Sequence, residues 1–516
     1  MPGNREVAVG GGADRLSDLP DGILEHVLSF LPAADAVRTS VLSRRFRTAW
    51  AHAPALNLSD GLLKGRFLGF AREVLARYGA LDIPALYVTI GCESNLGPAT
   101  AAWLRDTMER ATESVSVSVT ARGGALDCLT LPRCLRAKSI AFRLSGICFQ
   151  HCPLVLPEPG APTWLGGLTE LSLSMVRLQK HVRPLGVFLS SCCPQLRKLR
   201  LSKVSGGLAA DGGLTLWPLV LHLDLLEELA VDRVETFTKL QVASSNLRTL
   251  GVLTCFESFL QWAMDTVVEI SAPRLEDFSW SGTLPKHLSF LNLNGSHCIR
   301  RLRLCGLRFY LPGKQIRSAS AVRLLEMCSR ADHLILRIDI PDSTSPPMLN
   351  REELKHVPHL PNIRVLSLEM FSLLQLTGCP IAPVISSFLR RCPNLTQLHI
   401  DLLKLNIFSR LNAECFMVSF DLTNETCVPL GYQGNDETEM KKAWQSTDRG
   451  MWKRKTWRDQ QQLSSLGEIR LGGFMGTDRE MEVAGLLFGV GASQPALEVW
   501  MAVLRAEYCG MPLVRR

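Results

Sequence analysis

The stretch Cys193-Pro194-Gln195-Leu196-Arg197-Lys198-Leu199-Arg200-Leu201 decides the fold. Its apolar residues fall at a first position, three residues on, and two beyond that. Leu199 and Leu201 share one face of a strand, because side chains alternate with a period of two. Leu196 turns inward from the preceding bend. The same spacing recurs as Leu168-Leu171-Leu173, Leu226-Leu229-Val231, Leu247-Leu250-Val252, Leu275-Phe278-Trp280 and Ile299-Leu302-Leu304. It continues as Ala331-Leu334-Leu336, Ile363-Leu366-Leu368, Leu395-Leu398-Ile400 and Leu466-Ile469-Leu471, with a degenerate early copy at Ala137-Ile140-Phe142. Cys193, Cys328 and Cys392 each stand three residues before their first position, and Pro194, Pro273, Pro361 and Pro393 two before it. Cysteine returning at one repeat position reads as a small buried hydrophobe, not a redox or metal group. Proline there stops a helix and turns the chain.

Units of 20 to 32 residues built this way read as leucine-rich repeats. The composition agrees, since 85 of 516 residues are leucine and only 7% are aromatic, which disfavours a β-sandwich. Helical stretches before some strands, such as 185–193 and 384–392, complete a strand–helix unit. The expected fold is an α/β repeat solenoid: a horseshoe with one curved sheet, helices on its convex side, and a small three-helix module in front. Stacked units bury a core that no single unit could bury, and the sheet they form suits protein recognition.

That front module opens with Asp18-Leu19-Pro20-Asp21-Gly22-Ile23-Leu24-Glu25-His26-Val27-Leu28-Ser29-Phe30-Leu31-Pro32. Apolar residues at 24, 27, 28 and 31 follow helical spacing between two prolines. A second helix is expected over 33–42 and a third over 43–50, with Ser43 as its N-cap. Three helices in under 40 residues bury little, so a surplus apolar face is expected. Such a face docks a partner helix or packs on the same chain.

Leu-Pro-Asp-Gly-Ile-Leu, then Ser-Phe-Leu-Pro, Val37-Arg38-Thr39-Ser40, Leu42-Ser43-Arg44-Arg45 and Trp50 closely resemble the plant F-box motif, with Phe46 where tryptophan is usual. The resemblance implies binding to the Skp-type adaptor of a cullin–RING ubiquitin ligase. Carried over, the adaptor face or the core shaping it comprises Leu19, Pro20, Ile23, Leu24, Leu28, Leu31, Pro32, Val37 and Leu42. Near the other end, Leu466 to Glu480, an apolar helix at 483–490 and Pro495 to Val499 resemble the FBD segment of plant F-box proteins, although Ser493-Gln494-Pro495 departs from its usual Ala-Pro pair. The chain then divides into a disordered tail (1–14), the F-box (15–52), a connector with a helix through 99–110 (53–122), repeats (123–415), a polar insertion (416–462) and an FBD-like cap (463–516).

These resemblances imply a substrate-recruiting subunit of a Skp–cullin–F-box ligase: non-catalytic, without cofactor or metal, with an unknown protein target bound by the repeats. Its alternatives are a hormone or small-molecule receptor of the same architecture, a non-proteolytic adaptor-bound scaffold, or a repeat protein whose helices pack on its own array. No phosphate loop, H-E-x-x-H, G-x-S-x-G or dinucleotide fingerprint occurs. The histidines at 26, 52, 151, 181 and 222 lack partners at useful spacing, and Cys148-x-x-His151-Cys152 lacks a second ligand pair. A net charge of only +8 over 516 residues argues against nucleic acid. Lys441-Lys442 and Lys453-Arg454-Lys455 have the shape of a bipartite import signal, but read first as a solvated loop. The absence of a long apolar stretch leads to an expected location in the cytoplasm, the nucleus or both.

Overall fold

The computed structural model describes residues 19–61, 63, 65–91, 97–121, 129–132, 135–146, 152–156, 165–178, 185–206, 217–234, 237–256, 265–282, 284–291, 299–305, 324–326, 328–340, 358–372, 385, 388–404, 465–472 and 496–500. They divide into two units. One comprises 1–249, 255–273 and 285–292; the other comprises 250–254, 274–284 and 293–516.

The first unit opens with three short helices, α1 (Asp21–Ser29), α2 (Ala33–Arg38) and α3 (Arg44–Ala49). Pro20 and Pro32 each stand at an N-cap. There the missing proline N–H costs nothing and the carbonyl takes two helical N–H groups: Ile23 and Leu24 on Pro20, Asp35 and Ala36 on Pro32. The Ser43 hydroxyl caps α3 by accepting the Phe46 N–H at 3.4 Å, as its position predicts. The second helix ends sooner than expected, tightening into a 3-10 turn over Thr39–Val41.

Strands follow in order: β1 (Ala55–Ser59), β2 (Ile83–Ile90), β3 (Ala111–Ala121), β4 (Leu129–Thr130), β5 (Ser139–Gly146) and β6 (Cys152–Val155). Next come β7 (Glu170–Ser174), β8 (Val176–Leu178), β9 (Lys198–Ser202), β10 (Trp217–His222), β11 (Glu228–Asp232) and β12 (Phe237–Ala243). Helices α4 (Phe67–Arg77), α5 (Pro98–Met108) and α6 (Leu185–Cys192) lie between them. The ladder β1-β2-β3-β5-β7-β9-β11 is parallel throughout, with Leu171, Leu199 and Leu229 in one inward row and Leu173, Leu201 and Val231 in the next. The stretch read as a connector therefore contributes three strands and begins the ladder itself.

The remaining strands are β13 (Thr249–Leu253), β14 (Val267–Ser271), β15 (Asp277–Ser281), β16 (His287–Leu291), β17 (Arg301–Cys305), β18 (His333–Ile340), β19 (Val365–Ser372), β20 (Gln397–Lys404), β21 (Glu468–Gly472) and β22 (Ala496–Trp500). In the second unit, β15-β17-β18-β19-β20-β21-β22 pair in parallel, keeping Phe278, Leu302, Leu334, Leu366, Leu398 and Ile469 level. Each of the eleven three-point motifs has its strand.

Two backbone devices recur with the repeat. One carbonyl just after the first position accepts both N–H groups of the next unit: Arg197 O takes those of Glu227 and Glu228, and Arg364 O those of Thr396 and Gln397. Seven residues after the first position the chain turns through a left-handed residue: Met175, Lys203, Arg233, Thr254 and Gly282. Cys193, Cys328 and Cys392 are buried, and desolvation pushes each thiol up to about 12, so they are inert packing groups.

One expectation needs correction. Helices were expected between the repeat strands, yet in the first unit β10-β12-β14-β16 and β4-β6-β8 form two further parallel sheets, and α6 is the one described helix between repeat strands of that unit. The starts at 226 and 247 lie only 21 residues apart, leaving too few for a helix and two bends, whereas a strand covers twice the distance per residue. The 32-residue units keep short helical runs at 324–326 and 388–391. Cys148, His151, the basic runs at 441–455 and the helix expected at 483–490 lie outside the described residues. No described helix is long and apolar enough to cross a membrane.

Candidate functional site

Helical geometry advances about 100° per residue, so α1 carries two stripes. Leu24 and Leu28 lie on the inner one and are buried where α1 packs on α3, the turn Trp50–His52 and β1. Ile23, Val27 and Phe30 lie on the outer one and are exposed by 50%, 45% and 71%. Val41 and Leu42, at the end of the 3-10 turn, are exposed by 87% and 67%. Five large apolar side chains thus remain in water on a module of three helices, although its inner face already packs on the ladder.

The module is held rigidly enough to present them. The Arg45 guanidinium joins α3 to the start of α1 through the Asp21 carboxylate and the Leu19 carbonyl. The Tyr78 hydroxyl donates to Ala53 O at 2.6 Å, and Gly79 N–H donates to Ala51 O at 3.0 Å, fixing the module's exit to α4. The His26 and Phe30 rings meet edge-on at 5.0 Å.

Of the nine residues read as adaptor contacts, Pro20, Ile23 and Leu42 are exposed. Leu19, Leu31, Pro32 and Val37 are half-buried. Leu24 and Leu28 belong to the internal core and shape the face without forming it. Val27, Phe30 and Val41 stand on that face but were not among the nine. The spacing 23, 27, 30 is as helical as 24, 28, 31, and the sequence alone does not say which stripe points outward.

The second candidate surface is the open face of the strands. In the first unit it is mostly hydroxyl and small: Ser114, Ser116 and Ser118 on β3, Ser139 and Ala141 on β5, Ser172 and Ser174 on β7, with Tyr87 exposed beside them. In the second unit it is charged and imidazole-bearing. His333 Nε2 lies 3.3 Å from Ser367 Oγ, which lies 3.4 Å from His399 Nδ1. Burial holds both imidazoles below their ordinary 6.5, helped by each histidine's cationic neighbours, including Arg301 for His333 and Arg470 for His399. A groove of about 500 Å³ runs along the strand starts, lined by Asp277, Arg301, Asp332, His333 and Arg364 among others. Among the described residues no cluster of three histidine, cysteine or acidic side chains could hold a metal ion.

Comparison with known proteins bears on the first surface. The F-box domain family matches residues 16–54. A putative F-box/LRR-repeat protein of Arabidopsis thaliana is 37% identical over 108 residues, 21% of this chain and 22% of that protein. Another is 46% identical over 85 residues, 16% of this chain and 18% of its own length. An F-box/LRR-repeat protein of the same plant is 34% identical over 110 residues, 19% of this chain and 28% of the relative. The chain therefore spans about a fifth to a third of the length of the curated relatives it matches. No solved structure matches it.

The three-helix module is an F-box domain. Over the stretches compared, the chain is similar to plant F-box/LRR-repeat proteins.

Proposed function

We propose that this chain is the substrate-recruiting subunit of a Skp–cullin–F-box ubiquitin ligase. The F-box binds a Skp-type adaptor and, through it, the cullin, while the parallel ladders act as a leucine-rich-repeat solenoid holding a protein target. Strands β21 and β22 serve as the FBD-like segment that closes the second ladder. The observation that carries the reading is the outer stripe of α1 together with Val41 and Leu42. A rigid module that leaves five large apolar groups in water has a partner that covers them. The contribution is positional: gripping adaptor and target at once raises the effective concentration of a target lysine near the charged ubiquitin carrier. Bond chemistry belongs to other subunits.

The test is co-purification of the full chain with a Skp-type adaptor. Ile23→Asp with Phe30→Asp should weaken binding by at least about 30-fold, the loss of two hot-spot anchors, and leave the thermal melt unchanged. Undiminished adaptor binding by a folded double variant overturns the reading.

A further inference from the structure

Just after the first apolar position, four successive repeats of the second unit carry a charged residue: Glu276, Arg300, Asp332 and Arg364. Main-chain hydrogen bonds join them in order. Arg300 N–H donates to Glu276 O at 2.8 Å, Asp332 N–H to Arg300 O at 3.0 Å, and Arg364 N–H to Asp332 O at 2.7 Å. Neighbouring strands lie about 4.8 Å apart, so charges of alternating sign stand in a row about 14 Å long. The groove of about 500 Å³ runs along this row, with His333 and Val365 also in its lining.

The first unit shows such a row satisfying itself. At the same repeat position Lys138 pairs with Glu113 at 3.5 Å, and Arg197 with Glu227 at 2.8 Å. In the second unit the signs alternate at the same spacing. Yet the side chains of Glu276, Arg300, Asp332 and Arg364 form no ion pair and no hydrogen bond among the described residues. Asp277 and Arg301, one residue further along their strands, do pair, at 2.8 Å. Arg300, Asp332 and Arg364 are exposed and Glu276 is half-buried. The backbone fixes each charge in place while no neighbour neutralises it, so the alternation is presented to whatever enters the groove. Charge order across an interface sets register and rejects wrong partners.

We propose that this row docks an α-helix of the protein target, one whose exposed stripe alternates Lys or Arg with Glu or Asp. The inference rests on the target-binding role given to the ladders above and names a class of target. Helical residues at i, i+3, i+7 and i+10 share one face and span about 15 Å, close to the length of the row. Four residues on one face of an extended strand span about 20 Å, too long for it. Cations at i and i+7 then face Glu276 and Asp332, and carboxylates at i+3 and i+10 face Arg300 and Arg364. The row has no net charge, so it selects an order of charges and not an excess of one sign.

The test uses the full chain and a labelled alanine-based peptide of about 18 residues, blocked at both ends and long enough to form a helix. It carries Lys, Glu, Lys and Glu at those four positions. A control of the same composition carries Lys, Lys, Glu and Glu, an order that meets like charges whichever way it lies along the row. Saturable binding at low ionic strength is expected, at least about fivefold tighter for the alternating peptide and weakening as salt is added. Asp332→Lys should weaken the alternating peptide at least about fivefold, with its thermal melt preserved, and exchanging the peptide's second Lys for Glu should restore binding to that variant. No saturable binding, equal affinity for the two peptides, undiminished binding by folded Asp332→Lys, or no rescue by the exchanged peptide overturns the docking row. Ile23→Asp/Phe30→Asp should bind the alternating peptide normally, and Asp332→Lys should bind the adaptor normally. The failure of either proposal is therefore separable from the failure of the other.

Discussion

The F-box helices and the strand ladders handle apolar residues in opposite ways. In the ladders each unit brings its own apolar set, and the next unit covers it, so Leu199, Leu229, Leu302, Leu366 and Leu398 are all buried in level rows. The three helices have too little chain to cover both stripes of α1, and Ile23, Val27 and Phe30 stay in water. Repetition satisfies the hydrophobic effect internally, whereas brevity leaves a remainder for another molecule.

The contrast predicts that the same substitution has opposite outcomes in the two regions. Leu199→Asp places a carboxylate in a buried row between Leu171 and Leu229, and should cost more than about 4 kcal/mol, enough to unfold the first unit. Phe30→Asp should change stability by no more than about 0.5 kcal/mol. Urea unfolding followed by circular dichroism measures both, and comparable losses would erase the distinction.

Glycine sharpens the comparison. A Cβ on Gly186 in α6 would sit 2.0 Å from the Val220 carbonyl oxygen of β10, because helix and strand meet there backbone to backbone. Gly186→Ala should therefore destabilise by about 2 kcal/mol or more, against the gain of about 1 kcal/mol that helix propensity alone predicts. Gly22 in α1 has nothing within 4 Å of the same position, so Gly22→Ala should be neutral or stabilising. Paired thermal melts decide it, and a stable Gly186→Ala protein would mean the ladder has slack.

The smallest effect is on pH. Folding lowers the affinity of His333 and His399 for protons, so below the ordinary 6.5 the unfolded chain binds more of them. The stability due to their neutral forms is fully present above that value and is lost as pH falls from it toward the folded-state value. Thermal melts between pH 7 and pH 5 should show a decline that the His333→Gln/His399→Gln variant flattens. An unchanged slope in that variant would place the acid sensitivity elsewhere.

Legibility followed periodicity. The first, fourth and sixth positions of each unit located the eleven repeat strands between 139 and 472, though not β22, and three cysteines at one offset announced their burial. The strands at 55–59 and 83–90 carry the spacing in Ala53-Leu56-Leu58 and Ile83-Leu86-Val88, two copies outside the set counted above, whereas 111–121 has Thr112 at the first position. The signal of that third strand is alternation, plain in Ser114-Val115-Ser116-Val117-Ser118-Val119, which calls for a strand whatever the repeat. The second sheet of the first unit was less accessible, since Leu219 with Leu221 and Val268 with Ile270 are too short to separate strand from helix. The unit length was the available clue.

The amino-acid sequence by itself determined the repeat, its inward rows, the capped helices and the F-box, because each rests on spacing within a few residues. Tertiary structure alone decided which stripe of α1 faces water, where returning strands replace helices, and that Glu276, Arg300, Asp332 and Arg364 do not pair with one another. These depend on which distant segments the chain brings alongside, and a local pattern of side chains carries no record of its neighbours across a sheet.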